Sequence, residues 1–149
     1  MKNCCGFKFL ITAIMFALLV GLLTISASAA SVEVASGAEF EAAMEQAKNG
    51  EIDTIILIND ITSTVTKFYP AASRNVTIKS ANGANYTISS TNQLEIGITS
   101  GAYQYNKDLR ANVTFQNVTF DLNNSQRAFY VSADGGVLNL DGVTIQNGK

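Results

Sequence analysis

The sequence predicts an all-β fold, a parallel β-helix solenoid of about five rungs opened by one N-terminal capping α-helix. Three observations predict it. A unit of two short alternating strands joined by a bend recurs at residues 56–62, 113–120 and 138–145, and the last two copies are offset by 25 residues. The bends of those two copies are Gln116-Asn117 and Asp141-Gly142, which place Asn and Gly, the residue types most tolerant of left-handed backbone, at the same position. A further short apolar strand, Ala128-Phe129-Tyr130-Val131, precedes the last copy, so each coil holds three strands, stacked about 4.8 Å apart. The competing fold is an antiparallel β-sandwich or meander, because Asp141-Gly142 between alternating runs is also a hairpin signal. The coil-sized recurrence and the non-hairpin pair Gln116-Asn117 favour the solenoid.

Residues 1–29 read as a secretory signal peptide. Lys2 and Lys8 form a basic opening, an apolar run covers 9–25, and Ala27-Ser28-Ala29 supplies a small-residue cleavage site. Cleavage after Ala29 or Ala30 leaves about 120 of the 149 residues as the mature chain, 30–149. The alternative is a retained anchor, since a 17-residue run sits at the lower edge of what spans a bilayer. Cys4 and Cys5 precede the apolar run, which excludes a lipoprotein, and the mature chain then has neither cysteine nor histidine. Ser-His-Asp and Cys-His catalysis, disulfides and His/Cys zinc sites are thereby excluded. Without Lys2 and Lys8, eight basic residues face twelve acidic ones, a net charge of −4. That balance excludes nucleic acid as the partner, because phosphate neutralisation needs clustered Lys and Arg.

After the leader, Ser31-Val32-Glu33-Val34 alternates as a strand and Ser36-Gly37-Ala38-Glu39 is a capping box. Phe40, Ala43, Met44 and Ala47 form one apolar stripe of a helix over 38–48, with acids early, Lys48 late and Asn49-Gly50 as the stop. Beyond Gly50, runs of Val, Ile, Thr, Phe and Tyr alternate with Asn, Gly, Ser and Asp. The mature chain holds 13 asparagines and the single Pro70, so several asparagines are expected at positive φ. A looser copy of the unit runs through 76–80 and 86–88 with 81–85 inserted at the turn, and 94–98 reads as another partial copy. First strands then begin near 56, 76, 94–96, 113 and 138, with Asp60 at the first bend.

These residues resemble the right-handed parallel β-helix of the pectate-lyase-like superfamily, especially its secreted bacterial adhesin-like members. The opening Val32-Glu33-Val34, the helix over 38–48, Asp53-Thr54-Ile55-Ile56-Leu57 and the run from Gly135 to Gly148 carry the resemblance. It implies that the helix covers the first rung. At the other end 143–145 is still strand-like with no covering element, so the reading is an N-terminal portion of a longer β-helix, or an end that pairs with another copy.

The superfamily includes polysaccharide lyases and hydrolases, which use clustered carboxylates. Here Asp121, Asp134 and Asp141 are singletons, Asp121 aligns with Gln146, and Arg127 is near them only in sequence. No catalytic residue, metal or cofactor is therefore assigned. The binding residues predicted are Tyr103, Tyr105, Lys107 and Arg110, in a loop over 100–111 whose aromatic faces and cations suit sugars or peptides. Phe68-Tyr69-Pro70 reads as turn packing, and the N-x-S/T sequons at Asn75, Asn85, Asn112, Asn117 and Asn123 read as products of the strand pattern. The expected function is that of an exported bacterial surface or extracellular protein binding a polysaccharide or host-surface partner. The alternative is the non-catalytic start of a secreted polysaccharide lyase or glycoside hydrolase.

Overall fold

Ser36 starts a helix because its extended backbone leaves the side-chain oxygen free to accept the Glu39 N–H at 3.3 Å. Glu39 reaches back and accepts the Ala35 N–H at 2.7 Å, one residue before the usual partner of a capping box. The helix, α1 (Gly37–Asn49), ends at Gly50 with φ 84°, and the Gly50 N–H returns to the Ala47 carbonyl at 3.1 Å. The expected stripe of Phe40, Ala43, Met44 and Ala47 is buried. These observations come from a computed structural model, which describes residues 30–71, 73–97, 111–125, 127–132 and 136–149.

Among the described residues the remaining elements are twelve short strands. The first five are β1 (Ser31–Val34), β2 (Thr54–Leu57), β3 (Ile61–Thr62), β4 (Lys67–Phe68) and β5 (Asn75–Ser80). Then come β6 (Tyr86–Ser89), β7 (Leu94–Ile96), β8 (Ala111–Gln116) and β9 (Val118–Asp121), and last β10 (Phe129–Val131), β11 (Gly136–Asp141) and β12 (Thr144–Gln146). They form three sheets, ordered β1-β2-β5-β8-β11, β3-β6-β9-β12 and β4-β7-β10, in which each described pair is parallel. From β2 onward the chain visits the three sheets in strict rotation, which is a β-helix-like all-β fold. A sandwich or meander of hairpins requires antiparallel neighbours, so the alternative fold is overturned.

Two assignments of the repeat change. Residues 94–96 are not a first strand; β7 pairs with β4 and β10 in the third sheet. Residues 56–62 also do not align with 113–120 as expected, because Ile55, not Ile58, shares a column with Ile78 and Phe115. Ile55 and Leu57 are accordingly buried, while Ile58 is 40% exposed. The physical reason lies in the corners between the first and second sheets. Five residues, 56–60, lie between the stacked positions Ile55 and Ile61, whereas four, 116–119, lie between Phe115 and Phe120, so a gapless alignment slips the strand by an odd number of residues and exchanges its faces. Asn117 takes φ 51° and Gly142 φ 62°, as their shared position predicts, and Asn123, Asn124 and Asn147 are also at positive φ. Asp60 is not.

The core is a set of columns. Ile55, Ile78 and Phe115 stack in the first sheet, Ile61, Ile88 and Phe120 in the second, and Phe68 and Ile96 in the third, all buried. Phe115, Phe120 and Phe129 meet where the sheets converge, with centroids 4.7–5.5 Å apart, a spacing that favours edge-on aromatic contact. The next residues in these columns, Leu140, Ile145 and Val131, are 47%, 48% and 41% exposed. Helix α1 packs at the opposite end of the columns. Its stripe joins the same apolar cluster, the Gly37 Cα abuts the Thr62 carbonyl so closely that a side chain has no room, and Glu41 accepts from the Thr64 N–H at 3.3 Å. Buried Ser63, Ser80 and Ser90 sit at corners, and their side-chain oxygens accept the N–H groups of Val65, Tyr86 and Asn92. Each of these bonds satisfies a backbone donor where the chain turns.

Candidate binding face and corner groove

The alternation that sends Ile55, Ile78 and Phe115 inward sends their neighbours outward. Along the first sheet one outward column reads Ser31, Thr54, Thr77, Thr114, Asn139, and the next reads Glu33, Ile56, Lys79, Gln116, Asp141. Parallel pairing spaces these side chains about 4.8 Å apart. Neighbouring coils are laced across this face. Asn112 donates to Asn75 at 2.9 Å, Gln116 to Asp141 at 3.0 Å and Asn139 to Thr114 at 3.4 Å. The result is a broad surface of hydroxyls and amides, each able to donate and accept.

One corner of this face is concave. Asp53, Thr54, Ser73, Arg74, Asn75 and Thr77 line a groove of about 360 Å³ where the chain passes from the third sheet to the first. Arg74 pairs with the Asp53 carboxylate and donates to the Ile52 carbonyl at 3.2 Å, with its guanidinium lying over Gly50. This fixes the end of α1 to the start of β5. The Arg74 Nε is buried and has no hydrogen-bond partner among the described residues. The Asp53 and Arg74 side chains remain 34% and 28% exposed. An acceptor-only carboxylate, a donor-only guanidinium, an amide and three hydroxyls thus line one hollow, a mixed set of hydrogen-bond donors and acceptors.

The residues singled out from sequence fall differently. Tyr103, Tyr105, Lys107 and Arg110 lie outside the described residues, as does Asp134. The stretch that carries the first four joins β7 to β8. At the start of β8 the Asn112 N–H donates to the Arg74 carbonyl at 2.7 Å. Asp121 and Asp141 stand in different sheets and are not brought together. Asp121 accepts from the Asn123 N–H at 3.0 Å, the Asn147 amide at 3.0 Å and the Gln146 amide at 3.4 Å, and the Asn123 bond foremost holds its carboxyl below the usual range. A carboxylate so occupied is a lacing group between coils. Arg127 is exposed between β9 and β10, Phe68 is buried as a strand residue of β4 and not as part of a turn, and the sequon threonines Thr77, Thr87, Thr114 and Thr119 are the half-buried alternates of their strands.

Sequence reasoning missed the Asp53–Arg74 pair. Its signal is the pitch: these residues are 21 apart, and Thr54 sits over Thr77 at a separation of 23, so an acid and a base one coil apart become neighbours. An all-parallel, coil-like stack of short strands defines the class of β-helix-like all-β folds. A family model described as a pectate lyase-like adhesive domain matches residues 31–149, and the chain belongs to that family. Comparison with curated proteins and with solved structures finds no significant match.

Proposed function

We propose that this chain is an exported bacterial surface or extracellular protein that adheres to a saccharide-bearing partner through the outward face of its first sheet. In this reading residues 1–29 are the export signal, the mature chain 30–149 coils right-handedly through about five rungs, and α1 covers the first of them. The observation that carries the binding assignment is the corner groove, where Asp53, Arg74, Asn75 and Thr77 converge. Membership of an adhesive-domain family supports it. Tyr103, Tyr105, Lys107 and Arg110 are the proposed second contributors, because their aromatic faces and cations suit a saccharide. The exposed column ends Val131, Leu140 and Ile145 are proposed as a contact between copies.

The test is binding of the purified mature chain to immobilised polysaccharides and to cell surfaces. Asn75→Ala combined with Thr77→Val is expected to weaken binding about tenfold, the worth of one to two net hydrogen bonds. Tyr103→Ala with Tyr105→Ala is expected to weaken it independently. Circular dichroism confirms that each variant folds, and unchanged binding in both discards the site. The alternative, the opening of a polysaccharide-degrading enzyme, predicts no adhesion by this chain.

A further inference from the structure

Asn-Gly occurs three times in the described residues, at 49–50, 82–83 and 147–148. This dipeptide is the most vulnerable to intramolecular deamidation, because glycine lacks the side chain that shields its amide nitrogen. We infer that Asn82 is a spontaneous deamidation site of this protein and that the fold protects the other two.

The chemistry needs only water and hydroxide. Hydroxide removes the Gly83 amide proton, and the nitrogen attacks the Asn82 side-chain carbonyl carbon. The bond to Nδ2 breaks, and ammonia leaves with a proton from water. A five-membered succinimide remains. Water then opens the ring at either carbonyl, yielding aspartate or isoaspartate. The attack requires a free Gly83 nitrogen, an amide side chain able to swing onto it, and solvent.

Residues 81–84 meet all three requirements. The Ala84 N–H closes a turn onto the Ala81 carbonyl at 3.0 Å, and Gly83 takes φ 75°. Because Asn82 is not at positive φ, this is a type II turn, in which the Gly83 N–H points away from the closing hydrogen bond. Both residues are exposed, neither the Asn82 amide nor the Gly83 N–H has a hydrogen-bond partner among the described residues, and a methyl group built on Gly83 would meet no atom within 4 Å. The turn lies in the insertion between β5 and β6, at the corner between the first and second sheets.

The other two sites lack these freedoms. The Gly50 N–H is held by the Ala47 carbonyl at the end of α1. The Asn147 amide donates to Asp121 at 3.0 Å, its carbonyl accepts the Asn124 N–H at 2.8 Å, and the following turn is pinned by the Lys149 N–H on the Ser125 carbonyl at 3.1 Å. Each must open before it can react.

The experiment is timed incubation of the purified protein in mildly alkaline buffer, followed by peptide mass mapping and enzymatic isoaspartate detection. Asn82 is expected to convert at least about tenfold faster than Asn49 or Asn147, the factor implied by one net hydrogen bond on the protected sites. In denaturant the three rates are expected to converge. Asn82→Gln is expected to abolish the fast product. Equal rates in the folded protein, or faster conversion of Asn147, would overturn the assignment.

Discussion

Asn117 and Gly142 are stacked one coil apart at the bend between the first and second sheets, both in left-handed backbone. The contact is asymmetric. The Asn117 side-chain oxygen occupies the space that a Gly142 side chain would need, and the Asn117 N–H reaches up to the Asp141 carbonyl at 2.9 Å. Gly142→Ala therefore meets two penalties, a positive φ and a collision. It is expected to destabilise the fold by about 1–3 kcal/mol, read as a lowered urea midpoint with an unchanged slope. Asn117→Gly keeps the conformation open and is expected to cost less. The left-handed pair was legible in the sequence because only a few residue types tolerate that backbone. The Asp53–Arg74 pair was not, because nothing local in either residue reveals a partner 21 positions away.

At the scale of elements, α1 was fully legible. Its cap, stripe and stop are all local signals, and local hydrogen bonds realise each of them. The Glu39 carboxyl is held below the usual carboxylate range, first by the Ala35 N–H and then by Ser36. A depressed carboxylate pKa stabilises the fold above the pKa of the unfolded chain, and that contribution disappears as pH falls through the folded value. The melting temperature of the native chain is therefore expected to fall on acidification through this range. Glu39→Gln should lower it at neutral pH and flatten that fall; an identical acid limb in both proteins would show that the cap contributes nothing. Strand register was less legible. Periodicity of two identifies a strand and its two faces, but a corner one residue longer in one copy than in another shifts the strand alignment by an odd number and exchanges those faces. That shift moved Ile56 and Ile58 into the expected core, where the structure places Ile55 and Leu57.

Across the whole molecule, the inward columns are sealed at one end by α1 and lead at the other to Val131, Leu140 and Ile145. Three large apolar side chains, one from each of the three sheets and each more than two-fifths exposed, form a surface of the kind that mediates association. Under the proposed contact between copies, the purified chain is expected to show concentration-dependent association by light scattering. Leu140→Lys with Ile145→Lys should shift it to monomer, because two charges cannot enter an apolar layer unpaired. A concentration-independent monomer in the native protein would remove that contact. The outward face of the first sheet lies across the same strands but points away from this layer, so adhesion and association can be measured apart.

By itself, the sequence determined the helix and its ends, the strand character of the chain beyond Gly50, the left-handed bends and the coil that repeats them. These depend on side-chain chemistry within a few residues, where propensity, alternation and capping act. Only the tertiary structure decided that β7 belongs to the third sheet, which isoleucines of the first coil face inward, and that Asp53, Arg74, Asn75 and Thr77 share a groove. The reason is that successive coils differ in length: 23 residues carry Thr54 to Thr77, 37 carry Thr77 to Thr114 and 25 carry Thr114 to Asn139. A solenoid stacks by backbone hydrogen bonding, which is indifferent to how much chain the corners absorb. Neighbours in space are therefore set by pairing, and no fixed sequence interval records it.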